Sequence, residues 1–579
     1  MFNKYYQQEL QNLRELAREF SKAHPAIAPM LSGPSSDPDV ERLLEGVAFL
    51  TGLLHRKLDD EFPEIIHGLM DSIFPHYLRP IPSTSIVVFS PKPSLQESIT
   101  VPAGTSLASI PVEGIKCIFR TCFTTEVHPL KLVSADFIEQ PEQPGQIRLV
   151  LELSGFTLSQ WQPKRLSFFL GESFSNAADL FMLLTKYVQQ IVLKPGTDQG
   201  GKQHILPADA LIQSGFQLEN SLLPFPTHSF AGYRLLQEYF VLPQKFLFLE
   251  LRGWEKWQNR GEGSRFEVIF ELAPSPLPPP KIKRSNFHLF ATPVINLFTD
   301  DSDHFLLDHR LEKMPVRPSS KRKDHFQVYS VDKVVSIEQG SITEKEYVPF
   351  EFFSKNEGNI SMYQVVRSRS PIDNSAECFL SFTYPPQSPE PKPETLSLTM
   401  TFTNGTLPER LQLGDICKQT SDSPGLLDFY NIITPTLHVE PMLGKDTLWK
   451  FISHLSLNIL PLANADNIKN LLKLYVFPET RNRTKTAADQ KRIDGIEDFR
   501  VKSANRIVDG AIMRGQKIEM SVSQDNFACL GDLYLFASVM ELFLGVYSAM
   551  NTFIQFEVKD TISGETFLWP ARLGERSLL

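Results

Sequence analysis

Two hydrophobic periods divide this chain. In the first eighty residues apolar positions recur at spacings of three and four. Leu10, Leu13, Leu16 and Phe20 form one stripe, and Val40, Leu43, Leu44, Val47, Leu50, Leu54 and Leu58 form another. That period predicts helices with one apolar face. A third helix is expected after Phe62, with Pro63 in its first turn and Ile65, Ile66, Leu69, Met70, Ile73 and Phe74 on one side. Asp59, Asp60, Glu61 and Glu64 at that junction suit the positive end of a helix dipole better than a catalytic pair. Three short helices bury little surface alone, so they need the rest of the chain or another subunit.

Between residues 84 and 420 the period shortens. SIVVFS, SITVPAG, CIFRTCF, IRLVLELS, FLFLELRG, FEVIFEL, ECFLSFTY and LSLTMTF alternate or run apolar over strand-like lengths. A helix is expected from Asn176 to Gln190, with Leu180, Leu183, Leu184 and Val188 on one face. The proline-dense run APSPLPPPK, 273–281, reads as a stiff connector. The basic run SSKRKDHF at 319–326 reads as a solvated loop. From 421 onward the pattern is mixed. Helices are expected near 446–459, 464–475 and 532–549, strands near 517–523 and 552–559, and an exposed polar loop or disordered tip over Arg481 to Arg492. The predicted fold class is α+β and multidomain: a helical N-terminal region (1–83), a β-rich domain (84–272), a second β-rich domain after the connector (273–420) and an α+β C-terminal domain (421–579).

Composition narrows the function. At 579 residues the chain is too long for one core, and three or four domains of about 150 residues are expected. A net charge of −9 is mild and argues against nucleic acid as the main partner. The 43 phenylalanines provide large faces to bury, within domains or between subunits. Cysteines 117, 122, 378, 417 and 529 are odd in number and contain no Cys-x-x-Cys pair, which fits free thiols in a reducing cytosol. The N-terminus lacks the apolar core of a signal peptide. The most apolar stretch, Leu533 to Met550, carries Glu541 mid-span and reads as a buried helix, not a membrane span.

No catalytic constellation emerges: there is no nucleophile elbow, Walker loop or dinucleotide fingerprint, and no cofactor site is expected. The densest group of ligand-type residues is Asp300, Asp301, Asp303, His304, Asp308 and His309. Such a set can hold a divalent cation, which makes a cytosolic metal-binding enzyme the alternative function. It lacks the glycine and terminal glutamate of a calcium loop, and an acidic loop after the Leu297–Phe298 strand end is the expected reading.

Several blocks carry a resemblance. WKFISHLSLNI (Trp449 to Ile459), DPDVERLLEGVAFL, KLDDEFPEIIHGLMDSIFPHYLRPIPS, GYRLLQEYFVLPQKFLF (Gly232 to Phe248), ATPVINLF, VYSVDKV, LLKLYVF, the pair Arg514-Gly515 and YSAMNTFIQFEV occur in order along nearly the whole chain. Together they resemble the TssF family, baseplate subunits of bacterial type VI secretion systems that are similar to contractile-phage wedge proteins. The stretch TFTNGTLPERL departs from the family pattern, with Gly405 where a basic residue is usual. A tight turn at φ > 0 would explain it.

The resemblance implies a structural subunit with no reaction. Two copies would join one TssG, then assemble with TssK and TssE around the VgrG hub, in the cytoplasm and docked at the inner membrane through the finished baseplate. The N-terminal helices would contribute to a bundle shared with TssG. Two identical chains beside one partner cannot sit in equivalent environments, so the connector at 273–281 and the loops near 80–84 and 386–394 are candidate hinges. Trp449, Leu455, Tyr475, Phe553, Tyr233, Arg234 and Tyr239 are candidate interface anchors, because aromatic and arginine side chains dominate hot spots. Burial of each inside its own chain is the competing reading.

Overall fold

The computed structural model describes residues 75–139, 145–196, 200–225, 231–278, 281–301, 305–308, 310–316, 325–338, 344–350, 361–370, 375–384, 393–441, 443, 464–477, 482–508, 511–547 and 552–574, with short pieces before residue 75 that include 42–51. The architecture is mixed α+β and rich in strands. Residues 42–51 form a helix, α1. Most of the other expected N-terminal helices, the helix near 446–459 and most of the basic run at 319–326 lie outside the described residues.

Alternation builds the second sheet. In Gln146–Leu153 and Arg265–Leu272 every second side chain is buried, so one face of each strand meets the core. The two strands pair antiparallel with Val268 opposite Leu149, inside a sheet that runs 204–207, 188–195, 265–272, 146–153, 130–138. A four-stranded sheet (211–212, 248–251, 166–170, 287–289) belongs to the same core. Trp161 meets Trp254 at 5.2 Å and Phe266 at 5.3 Å in that core. Arg260 is buried beside them and donates to the carbonyls of Trp257, Trp254 and Trp161.

The first sheet is assembled from distant parts of the chain. Thr84–Pro91, buried on both faces for most of its length, pairs with Ala291–Ile295 on one side and Leu427–Asn431 on the other. It therefore draws on all three segments expected as separate domains after residue 83. Residues 80–84 are a poor hinge in this setting. Ile81 exchanges backbone hydrogen bonds of 2.8 and 3.0 Å with Val439, and Ser83 and Thr84 are fully buried.

All strands of the eight-stranded sheet fall between Phe298 and Thr403, and they enclose a core of their own that includes Val334, Tyr347, Leu380, Leu398 and Phe402. The chain enters and leaves this module side by side. There the buried Asn296 accepts from the backbone N–H of Asn404 (2.7 Å) and the hydroxyl of Thr403 (2.8 Å), and donates to the Asn404 side chain (2.8 Å). Gly405 follows at φ +56, with nothing where a Cβ would sit, so the expected turn is present.

Two expected elements are corrected. The helix over Asn176 to Gln190 stops early: α2 spans Phe174–Met182, a π-helical turn covers 183–187, and Val188–Pro195 is a strand. Its apolar face continues into the strand because both bury the same residue types. The polar stretch expected as a loop is a helix, α5, at Arg483–Asp494. Among the described residues the other helices are a single turn at Pro75–Leu78, α3 (Ala231–Val241), α4 (Ala465–Lys473) and α6 (Leu530–Tyr547). Helix α6 crosses between Ala511–Val522 and Phe553–Asp560, which pair in parallel, and its residues from Leu530 to Val546 are buried. Among the described residues no helix is long and apolar enough to cross a membrane.

Candidate assembly surface

The block from Gly232 to Phe248 folds as α3, one 3-10 turn and a strand. Its charged residues turn inward. Glu238 and Lys245, both buried, meet at 2.6 Å. The other oxygen of Glu238 accepts from the backbone N–H groups of Leu222 (2.8 Å) and Leu223 (3.0 Å). Arg234 lies one turn earlier, 3.8 Å from the same carboxylate, and donates to the carbonyl of Leu218 at 2.8 Å. Burial pushes the Lys245 ammonium below its usual range, and Glu238 pulls it back up. The three charges thus clasp the loop before the helix to its face. Such a pair is stabilising only because hydrogen bonds satisfy the carboxylate. Sequence inspection missed this network. Its signal was an Arg and a Glu at i, i+4, in an otherwise apolar block.

A second network joins three helices. Lys485 on α5 donates to the carbonyls of Phe240 and Val241 at the C-terminus of α3, where a cation suits the dipole. Arg492, near the far end of α5, meets Asp489 at 2.7 Å and Asp532 in the first turn of α6 at 3.0 Å. Burial raises the Asp489 carboxyl, and Lys485 and Arg492 offset this in part.

The candidate anchors are placed as follows. Tyr233 and Tyr475 are buried and stack on one another at 6.2 Å, and His76 stacks on Tyr475 at 6.3 Å. Burial holds the imidazole of His76 down at about 3. Tyr239 is buried against Phe240, Phe246 and Phe536. Arg234 is mostly buried in the clasp above. Phe553 sits opposite Gly515 in the parallel pair, and a Cβ on Gly515 would lie 2.3 Å from the Phe553 carbonyl oxygen. The glycine of the Arg514-Gly515 pair is the space that Phe553 fills. Four of these five side chains are buried within the chain, and Arg234 is mostly so. Trp449 and Leu455 lie outside the described residues.

Apolar side chains do reach the surface elsewhere. On α1, Leu43 and Leu50 are 69% and 61% exposed, and Val47 between them is also exposed. These three belong to the stripe expected at three- and four-residue spacing, of which Val40, Leu54 and Leu58 lie outside the described residues.

Three of the six residues of the Asp300–His309 cluster are described. Asp300 and Asp301 lie on Phe298–Asp301, which pairs with the strand at 394–403, and Asp308 binds Arg310 at 3.5 Å. Asp303, His304 and His309 lie outside the described residues. Among the described residues no three His, Cys, Asp or Glu side chains are grouped to hold a metal. A cleft of about 870 Å³ is bordered by Lys92, Lys131 and Lys283. Asp428, Glu152 and Glu172 pair with them at 3.4, 3.0 and 3.4 Å.

The fold is a multi-sheet scaffold whose buried charges tie its own elements together, the class of a structural subunit. The chain belongs to the type VI secretion system TssF family, whose model matches residues 1–576. It is 29% identical to the type VI secretion system component TssF1 of Pseudomonas aeruginosa, over 99% of this chain and 98% of that protein. It is similar to a chain of a cryo-electron microscopy structure of the type VI secretion system TssK-TssF-TssG baseplate subcomplex, with TM-score 0.77 and 29% identity over 92% of this chain and 98% of that one. A chain in a structure of the baseplate complex from the type VI secretion system gives TM-score 0.63 and 25% identity, with both chains fully covered. The family is structural, not enzymatic.

Proposed function

We propose that this chain is a baseplate subunit of a type VI secretion system and acts by assembly. The observation that carries the reading is the family match over residues 1–576, joined to a fold shared with a chain of a TssK-TssF-TssG subcomplex. Its partners are proteins of the TssG and TssK kinds. Two copies join one TssG, and the product binds TssE and the VgrG hub in the cytoplasm, beneath the inner membrane. Residues 1–83 form a helical region whose stripe at Leu43, Val47 and Leu50 is covered by a partner helix, because an exposed apolar stripe is costly in a free subunit. Trp449 and Leu455 remain proposed anchors. Tyr233, Arg234, Tyr239, Tyr475 and Phe553 shape the assembly surface from beneath.

In domain terms, 298–403 is an inserted module, and the segments on either side of it complete one discontinuous body. The reading of Asp300–His309 as a metal site has no supporting observation among the described residues. Native mass spectrometry of the chain co-expressed with its TssG-like genomic neighbour tests the assignment. A two-to-one complex is expected, and a monomer indifferent to that partner would overturn it.

A further inference from the structure

The hairpin of Ile496–Val508 and Ala511–Val522 extends past the sheet it belongs to. The neighbouring strand Phe553–Asp560 begins its pairing at Gly515, so among the described residues the hairpin beyond that point has no third strand. On its other side, Ile496–Val508 is the edge of the sheet among the described residues. Among the described residues, the backbone of 500–508 bonds only to its hairpin partner. Ile507 and Ile512 stand directly opposite each other on one face, 72% and 75% exposed. The other face carries Arg500, Lys502, Arg506 and Lys517.

From Arg500 to Lys517 the sequence holds five basic residues and one acidic residue, in a chain of net charge −9. Arg500, Lys502 and Lys517 are paired with Asp498, Glu519 and Glu557. No ion pair among the described residues engages Arg506 or Arg514. Cations on a free edge discourage pairing between like copies. That protective role accounts for the charge but leaves the exposed isoleucine pair unexplained.

We propose that the edge from Arg500 to Val508 accepts an extended segment of a partner protein as an added strand, one that alternates apolar and acidic residues. The main chain supplies the ladder. Alternation at period two sets apolar side chains beside Val501 and Ile507, and carboxylates beside Lys502 and Arg506. The inference goes beyond the baseplate assignment, because it names the chemistry of a contact and not the assembly that contains it.

The test uses the full chain and a fluorescent synthetic peptide that alternates valine and glutamate and spans Arg500–Val508. Binding is read by anisotropy, and backbone engagement by hydrogen exchange. The peptide is expected to bind and to slow exchange across 500–508. The substitution Arg506→Glu, at a side chain that no ion pair among the described residues engages, should weaken binding about tenfold while the melting midpoint stays put. Ile507→Ser should weaken it without altering its salt dependence. The proposal is overturned if the peptide does not bind, if a valine–lysine peptide binds equally well, or if exchange at 500–508 is unchanged by the peptide. Failure to form a two-to-one complex with the TssG-like protein would bear on the baseplate reading alone, since the peptide experiment contains no other subunit.

Discussion

Helices α5 and α6 meet where Arg492 reaches Asp532, and they are held by opposite means. Helix α6 is apolar around most of its circumference and is buried from Leu530 to Val546. Helix α5 is polar throughout and buries only Asp489 and Ile493. Apolar burial is non-directional and spread over many contacts, so it tolerates adjustment. The polar helix depends on a few directed bonds from Lys485 and Arg492, one of which reaches α6 itself. A guanidinium between two buried carboxylates cannot be removed without leaving charge unpaired. The contrast teaches that a segment with no apolar stripe can still be fixed in place if its ends seat on the charges and dipoles of neighbours.

The sharpest way to break this comparison is Arg492→Ala. It leaves Asp489 and Asp532 facing each other and should cost about 3–5 kcal/mol of local stability, read by hydrogen exchange across both helices. A cost below about 1 kcal/mol would mean that α5 is held by something other than its ions. Next comes Leu535→Ala in α6, expected to cost about 3 kcal/mol through a cavity, with no dependence on salt or pH.

Acid gives a graded test. His76 and His128, driven down to about 3 and about 4 by burial, stay neutral in the fold, whereas the unfolded chain takes protons below about 6.5. Stability is therefore complete above that value and is lost as pH falls through the window toward 4 and 3. Asp489, raised by burial, acts with the opposite sign and gains from protonation. Urea titrations at descending pH should show net loss, flattened in His76→Phe. An unchanged slope in that variant would remove His76 from the account. The smallest effect is Asn482→Ala. This cap, which accepts from the N–H of Lys485 at 3.1 Å, is worth about 1 kcal/mol, seen as faster exchange in the first turn of α5 alone.

The same pair of helices marks what the sequence disclosed. The strands at 146–153 and 265–272 were legible because period and burial coincide, and helix α6 because its apolar run is too long for a strand. Helix α5 was not, since its anchors are two aspartates and an arginine whose meeting depends on the tertiary fold. The stacked Tyr233 and Tyr475 are candidate interface anchors by residue type, and residue type does not distinguish a chain's own core from a partner's. Phe553 and Gly515 were both noticed, 38 positions apart, and only the parallel register reveals that one fills the space left by the other. The first sheet was the least legible element, because its central strand reads as apolar with no clue to which distant strands flank it.

That sheet also sets a clock on biosynthesis. Thr84–Pro91 leaves the ribosome about 340 residues before its second neighbour, Leu427–Asn431. At roughly 5–20 residues per second, this strand waits on the order of half a minute with one edge unfilled. During that interval the nascent chain is an adhesive object, since open apolar strand edges invite pairing with whatever is near. A chaperone, or a partner subunit translated nearby, has its greatest leverage then, before the last strand closes the sheet.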